Sequence, residues 1–183
     1  MARRLALLVL TGTSLAVSLV AARARSQSSG APALTVSSAA FVNGGSIPPR
    51  YSCDADGKSP PLQWSALPAG TRSVAVVVDD PDAPHGTFVH WVLFDLPPST
   101  TNLSDGAASS PPTGAAQGKN GSGKTGWSPP CPPSGVHHYH FKVFALNQPI
   151  TLAEPSEADL FRAMNGHVVA QGEVVGTYQR VKK

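Results

Sequence analysis

Charge is scarce in this 183-residue chain, at 14% Asp, Glu, Lys and Arg, and so are aromatics, at 7%. Fourteen basic residues stand against eleven acidic ones. Arg3, Arg4 and Arg23 belong to an N-terminal segment that reads as removable, and without them the balance is 11 to 11. That neutrality excludes a broad electrostatic footprint for nucleic acid, so any anion site must be local. No H-E-x-x-H or comparable ligand spacing occurs, and neither a metal nor a cofactor is expected. No serine lies in a nucleophile-elbow pattern; Ser128 and Ser134 sit among prolines. No internal repeat is visible. Cysteine is limited to Cys53 and Cys131.

What is present begins with a leader. Arg3 and Arg4 precede the uncharged run Leu5 to Val20, and Ala22-Arg23-Ala24 places small residues at signal-peptidase spacing. The run is about sixteen residues, below the roughly 20 that span a bilayer. The pattern predicts a cleaved signal peptide over 1–24, a polar tether over 25–33 and one domain over 34–183, secreted or periplasmic. An oxidising destination is compatible with a Cys53–Cys131 disulfide; two buried free thiols are the other arrangement. Asn102-Leu-Ser104 and Asn120-Gly-Ser122 are glycosylation sequons that matter only in a eukaryotic host.

The body reads as β-rich. Ser73 to Asp79, Thr87 to Asp95, Tyr139 to Leu146, and Val168 to Tyr178 (interrupted by Gly172 and Gly176) are the strand candidates. Runs apolar on both faces imply central strands covered on each side. One helix is expected near Ser156 to Asn165, with Ser156 as N-cap, Glu157 and Asp159 in the first turn, an apolar face of Leu160, Phe161 and Met164, and Gly166 as terminator. Eighteen prolines and seventeen glycines fill the loops.

Gly118 to Thr125, GKNGSGKT, fits the phosphate-binding loop pattern G-x-x-x-x-G-K-[ST]. Such a loop works because a strand feeds it and a helix leaves it. Ser109 to Gln117 does not read as a strand, and the five prolines and glycines in Gly126 to Pro133 forbid a helix. The match is expected to be accidental.

Four other segments carry candidate chemistry. In Tyr51 to Trp64, Trp64 reads as a core anchor, and Asp54 as either a turn residue or a site carboxylate. Asp79-Asp80-Pro81-Asp82-Ala83-Pro84 puts three carboxylates at a strand end, which is either an acidic turn or a site. His90 stands mid-strand among Phe88, Val92 and Phe94, either satisfied by a carboxylate or aimed into a pocket. In Cys131 to Tyr139, His137 and Tyr139 share one strand face, with His138 and His140 on the other. His85 and His167 read as loop or surface. Imidazoles and a phenol donating to an oxyanion, with a carboxylate fixing one ring, make a binding site.

These motifs, in this order, together with Gly-Lys-Thr-Gly-Trp at 123–127, Ala-Met-Asn-Gly-His at 163–167 and Gly-Thr-Tyr-Gln-Arg at 176–180, resemble the phosphatidylethanolamine-binding proteins, in their bacterial Raf-kinase-inhibitor-like branch. The resemblance covers about Leu34 to Arg180. It implies a mainly β fold: a large antiparallel sheet flanked by a smaller sheet, with a short helix near the C-terminus. It implies a small anion pocket at one end of the main sheet, lined by Asp80, Asp82, Pro84, His90, Pro133, His137 and Tyr139, with Asp54 near the rim. The family pocket takes phosphate, phosphorylethanolamine head groups, small carboxylates or sulfonates. His138 stands where the family usually has arginine, and Trp127 where tyrosine is common, so the contributions of those two positions differ here.

The leading expectation is an exported, non-enzymatic binding protein for a small anionic ligand, touching membrane only through lipid head groups. One alternative is an inhibitor-like regulator of a protease or kinase, with Pro111 to Pro133 as its contact surface. Another is an enzyme pairing Asp80 or Asp82 with His90 or His137 for acid–base work.

Overall fold

The computed structural model describes residues 32–180. The expected signal peptide, residues 25–31 of the expected tether and residues 181–183 lie outside them. Strands β1 (Val36–Ser37), β2 (Leu62–Trp64) and β5 (Asn102–Leu103) form a small antiparallel sheet in the order β1-β2-β5. Strands β3 (Ser73–Asp80), β4 (Phe88–Leu96), β6 (Ala116–Gln117), β7 (His137–Leu146) and β8 (Val168–Tyr178) form the main sheet, antiparallel and ordered β6-β4-β3-β7-β8. Helix α1 (Glu157–Met164) precedes β8.

Strand β3 is the centre, with every residue buried. Its β-branched run suits a strand covered on both faces. Val74, Val76 and Val78 pack with Trp91, Phe141 and the small sheet, where Trp64 is an anchor whose indole N–H donates to the Thr100 carbonyl at 3.1 Å. Ala75 and Val77 pack with Val92, Phe94 and α1. The two glycines that interrupt β8 are sites of close approach: a Cβ at Gly172 would meet the Leu34 carbonyl oxygen at 2.0 Å, and one at Gly176 the Ile47 side chain at 2.6 Å.

Helix α1 starts as its sequence predicts. Ser156 and Asp159 form a reciprocal capping box, and Gly166, at φ +79°, follows the helix end in the left-handed region. Leu160 and Met164 are buried, whereas Phe161 is 37% exposed and lies edge-on to Phe144, so the apolar face is narrower than expected.

The GKNGSGKT segment is a tight hairpin, closed by a bridge between Lys119 and Thr125. Contrary to the sequence expectation, a strand does feed it: β6 ends at Gln117, a two-residue edge pairing with Leu93 and Phe94 that is too short to leave a periodic signal. No helix leaves it. Buried Asn120 organises the turn, accepting from the Ser122 and Lys124 amides and donating to the Gly126 carbonyl. The backbone amides that would cradle a phosphate are thus partly committed to the loop itself.

Candidate functional site

Three strands end together on the small-sheet side. Asp80 closes β3, Phe88 opens β4 and His137 opens β7. Val78 pairs with Trp91, but Asp79 pairs with Val89, so His90 is an extra residue on β4. That β-bulge re-aims its side chain, a common use of bulges beside sites. His90 and Trp91 can then both approach Trp127, with ring centroids at 6.2 and 5.9 Å. Phe88 meets His90 edge-on at 4.8 Å, and Tyr139 does so at 5.1 Å.

The result is a hollow of about 170 Å³ lined by Asp80, Pro84, His90, Pro133, His137 and Tyr139 among others. Asp80 and His137 are both buried, and the Nδ1 of His137 lies 2.7 Å from Asp80 Oδ2. An ionised carboxylate only accepts, so Nδ1–H donates and Nε2 is the nitrogen left for a ligand. The other Asp80 oxygen accepts from the Asp82 amide at 2.9 Å. His90 donates from Nδ1 to the Ser128 carbonyl at 2.7 Å. Burial holds its pKa below the ordinary imidazole value, partly offset by that hydrogen bond and by Asp80. Burial, and then Asp80, pushes the Tyr139 phenol above its usual range, so it stays protonated. Two buried polar atoms have no protein partner among the described residues: His90 Nε2 and the Tyr139 hydroxyl. Both residues line the hollow. Leaving a buried polar atom unpaired costs about 1–3 kcal/mol, which marks this hollow as the candidate site.

Two of the residues expected from the sequence are not among those lining it. Asp82 Oδ2 accepts from the backbone N–H and Nδ1 of His138, at 2.8 and 2.7 Å, and those bonds hold its carboxyl below the usual range. Asp54 accepts from the Tyr178 hydroxyl at 2.7 Å and from Arg180 at 2.9 Å. Sequence reasoning missed Ala83, Phe88, Ser128, Pro129, Cys131 and Pro132 in the wall. Phe88 could have been found, two positions before His90, and so could Cys131 and Pro132, beside Pro133; Ser128 and Pro129 reach the hollow only by tertiary folding. Cys131 is bridged to Cys53, with Cα atoms 5.4 Å apart, so the two-thiol alternative is excluded. That bridge, and a bond from the Cys53 amide to the Pro130 carbonyl at 3.0 Å, tether the proline-rich rim.

A family profile described as "Phosphatidylethanolamine-binding protein" matches residues 37–179. The chain belongs to the phosphatidylethanolamine-binding protein family. Family relatives include a UPF0098 protein of Methanothermobacter thermautotrophicus, 45% identical over 77% of this chain and 95% of the relative. Another, from Aquifex aeolicus, is 42% identical over 84% of this chain and 92% of its own. A solved structure of a phosphatidylethanolamine-binding protein homologue from Chlamydia trachomatis superposes with a TM-score of 0.76 at 37% identity, covering 81% of this chain and 99% of that one. Escherichia coli YbcL, described as a member of the mammalian PEBP family, gives 0.76 at 34% identity with the same coverages. The mainly β architecture of two antiparallel sheets and one short helix is therefore the family fold.

A second and larger hollow, about 740 Å³, lies on the opposite side of the main sheet, between α1 and the β7–β8 strands. Its floor is Phe144 and Met164, with Lys142 and Glu173 at its edge. No unpartnered buried side-chain atom among the described residues belongs to it. Volume alone therefore does not select it. Among the described residues no group of three or more His, Cys, Asp or Glu could hold a metal ion.

Proposed function

We propose that this protein is an exported, non-enzymatic binding protein whose 170 Å³ hollow takes a small oxyanion head group of the phosphate or phosphorylethanolamine kind. The observation that carries the reading is the pair of unpartnered buried atoms, His90 Nε2 and the Tyr139 hydroxyl, beside the Asp80–His137 pair. Asp80 fixes the His137 ring, so its free nitrogen is presented without further ordering cost. The family's description, phosphatidylethanolamine-binding, supports a ligand of this chemistry. Export rests on the leader pattern in residues 1–24 and is supported by the disulfide, a bond that persists in oxidising compartments.

Calorimetric titration of the chain lacking residues 1–24 with phosphate and phosphorylethanolamine tests the ligand. Saturable heat is expected, and His137→Ala should remove it. No heat up to millimolar ligand, with no difference for His137→Ala, would sink the reading. Export is checked by the intact mass of the chain recovered outside the cytoplasm, which should lack the first 24 or so residues.

A further inference from the structure

Three asparagines are followed by glycine, in Asn43-Gly44, Asn120-Gly121 and Asn165-Gly166. In such a pair the glycine amide nitrogen can attack the asparagine side-chain carbonyl carbon, because no Cβ on the glycine shields that nitrogen. The attack needs a free nitrogen, and a side chain and backbone that can rotate toward each other. Any hydrogen bond held by either group must first break, so local opening sets the rate.

The fold treats the three pairs differently. Asn120 is buried; its Oδ1 accepts from the Ser122 and Lys124 amides, its Nδ2 donates to the Gly126 carbonyl, and the Gly121 N–H donates to the Val89 carbonyl at 2.7 Å. Asn43 is exposed, yet its Oδ1 accepts from the Val175 amide at 2.9 Å, and the Gly44 N–H donates to the Val175 carbonyl at 2.7 Å. Both groups that must meet are thereby tied to one residue of β8. Asn165 is exposed too, at the C-cap of α1. Among the described residues, neither its side chain nor the Gly166 N–H has a hydrogen-bond partner. Gly166 stands in open space, with nothing within 4 Å of where a Cβ would lie. Rotating Asn165 away from its ψ of 124° to join the two atoms therefore breaks no bond made by either group.

We propose that Asn165 is a site of spontaneous deamidation in the folded protein, and that the fold protects Asn43 and Asn120. The Gly166 nitrogen bonds to Asn165 Cγ and gives up its proton, the Cγ–Nδ2 bond breaks, and ammonia leaves. Water then opens the cyclic imide at one carbonyl or the other, which gives aspartate or isoaspartate. Either product sets a carboxylate at the edge of the larger hollow, where Asn165 stands in the lining with Glu173. The same carboxylate sits at the C-terminus of α1, where the helix dipole disfavours negative charge. Isoaspartate also lengthens the backbone of the turn that joins α1 to β8. The modification thus acts on the α1 side of the main sheet and leaves the smaller hollow, which Asn165 does not line, chemically unchanged.

The test holds the chain lacking residues 1–24 at pH 8, folded in buffer and unfolded in urea, and follows the three pairs over time by peptide mapping with mass spectrometry. In the folded chain Asn165 should convert at least about tenfold faster than Asn43, as expected where two hydrogen bonds must open first, and Asn120 should be the slowest. In urea the three rates should converge, since a glycine follows each asparagine. Asn165→Gln should abolish the acidic species that accumulates first in the folded sample. Asn43 or Asn120 converting as fast as Asn165 in the folded chain would overturn the proposal. So would an Asn165 that converts in urea and stays intact in the folded chain.

Discussion

Asp79 and Asp80 are consecutive, both buried, and serve opposite faces of the main sheet. Asp80 turns toward the hollow, where its partner is a histidine and two neighbouring polar atoms wait unpaired. Asp79 turns toward α1, where Lys142 donates to it and Glu157 lies close enough to share a proton. Burial, then the Asp79 charge, lifts the Glu157 carboxyl to about 7. On the α1 side the buried carboxylate is thus answered by protein groups, although the larger hollow also lies there. The hollow side is left open for something from outside. Period-two alternation along one strand puts a lysine-paired carboxylate and a histidine-paired carboxylate on opposite faces at consecutive positions.

Four perturbations break or sharpen that contrast. The largest is removal of the disulfide by Cys53→Ser with Cys131→Ser. The bridge spans 78 residues, and a chain-entropy account gives it about 4.5 kcal/mol. Urea unfolding should show a loss of that order, and phosphate affinity should weaken because Cys131 lines the hollow. Unchanged affinity would mean that the rim holds its shape without the bridge. Next, Leu160→Ala removes a fully buried side chain beneath α1. It should cost about 3 kcal/mol in the same melt and leave phosphate affinity alone, since the cavity opens on the other face.

The third separates the adjacent aspartates. Asp80→Asn should weaken phosphate binding about 10- to 100-fold in calorimetry, by replacing the charged acceptor that orients His137. Asp79→Asn should stay within about twofold, because the hydrogen bonds of Asp79 run to Lys142 and Glu157 on the α1 side and not into the hollow. Equal losses would show the two faces to be coupled through β3. The smallest effect is in pH. Glu157 has a folded pKa above its unfolded value, so the folded state binds the extra proton and stability falls as pH rises from about 4.5 to 7. His90 is shifted the other way. The unfolded chain binds its proton more readily, so that contribution is lost as pH falls below about 6.5. Glu157→Gln should remove the first slope from a pH series of denaturant melts and keep the second. A single unchanged slope in that variant would assign the first to another group.

Much of this was legible beforehand. Val74 to Val78 is apolar on both faces, and its β-branched residues leave little choice but a central strand. Ser156 as N-cap, with Glu157 and Asp159 in the first turn, announced α1. His137 and Tyr139 share a face by alternation alone. His90 was harder, since a bulge carries no sequence mark here, and without it strict alternation would put His90 and Trp91 on opposite faces. Asp54 and Asp82 look like site carboxylates in the sequence because their types and neighbours suit one. Only the fold reveals that Arg180, Tyr178 and His138 have claimed them. The Ser128 carbonyl, which sets the His90 tautomer, is a backbone atom 38 residues away, beyond the reach of any pattern.

Gly121 stands behind Phe88: a Cβ there would meet the aromatic ring at 2.8 Å, and Phe88 is part of the hollow's wall. Enlarging that one glycine would force the partition to shift. Evolution or an engineer can therefore reshape the chamber from a position that does not line it, while every polar group inside keeps its identity.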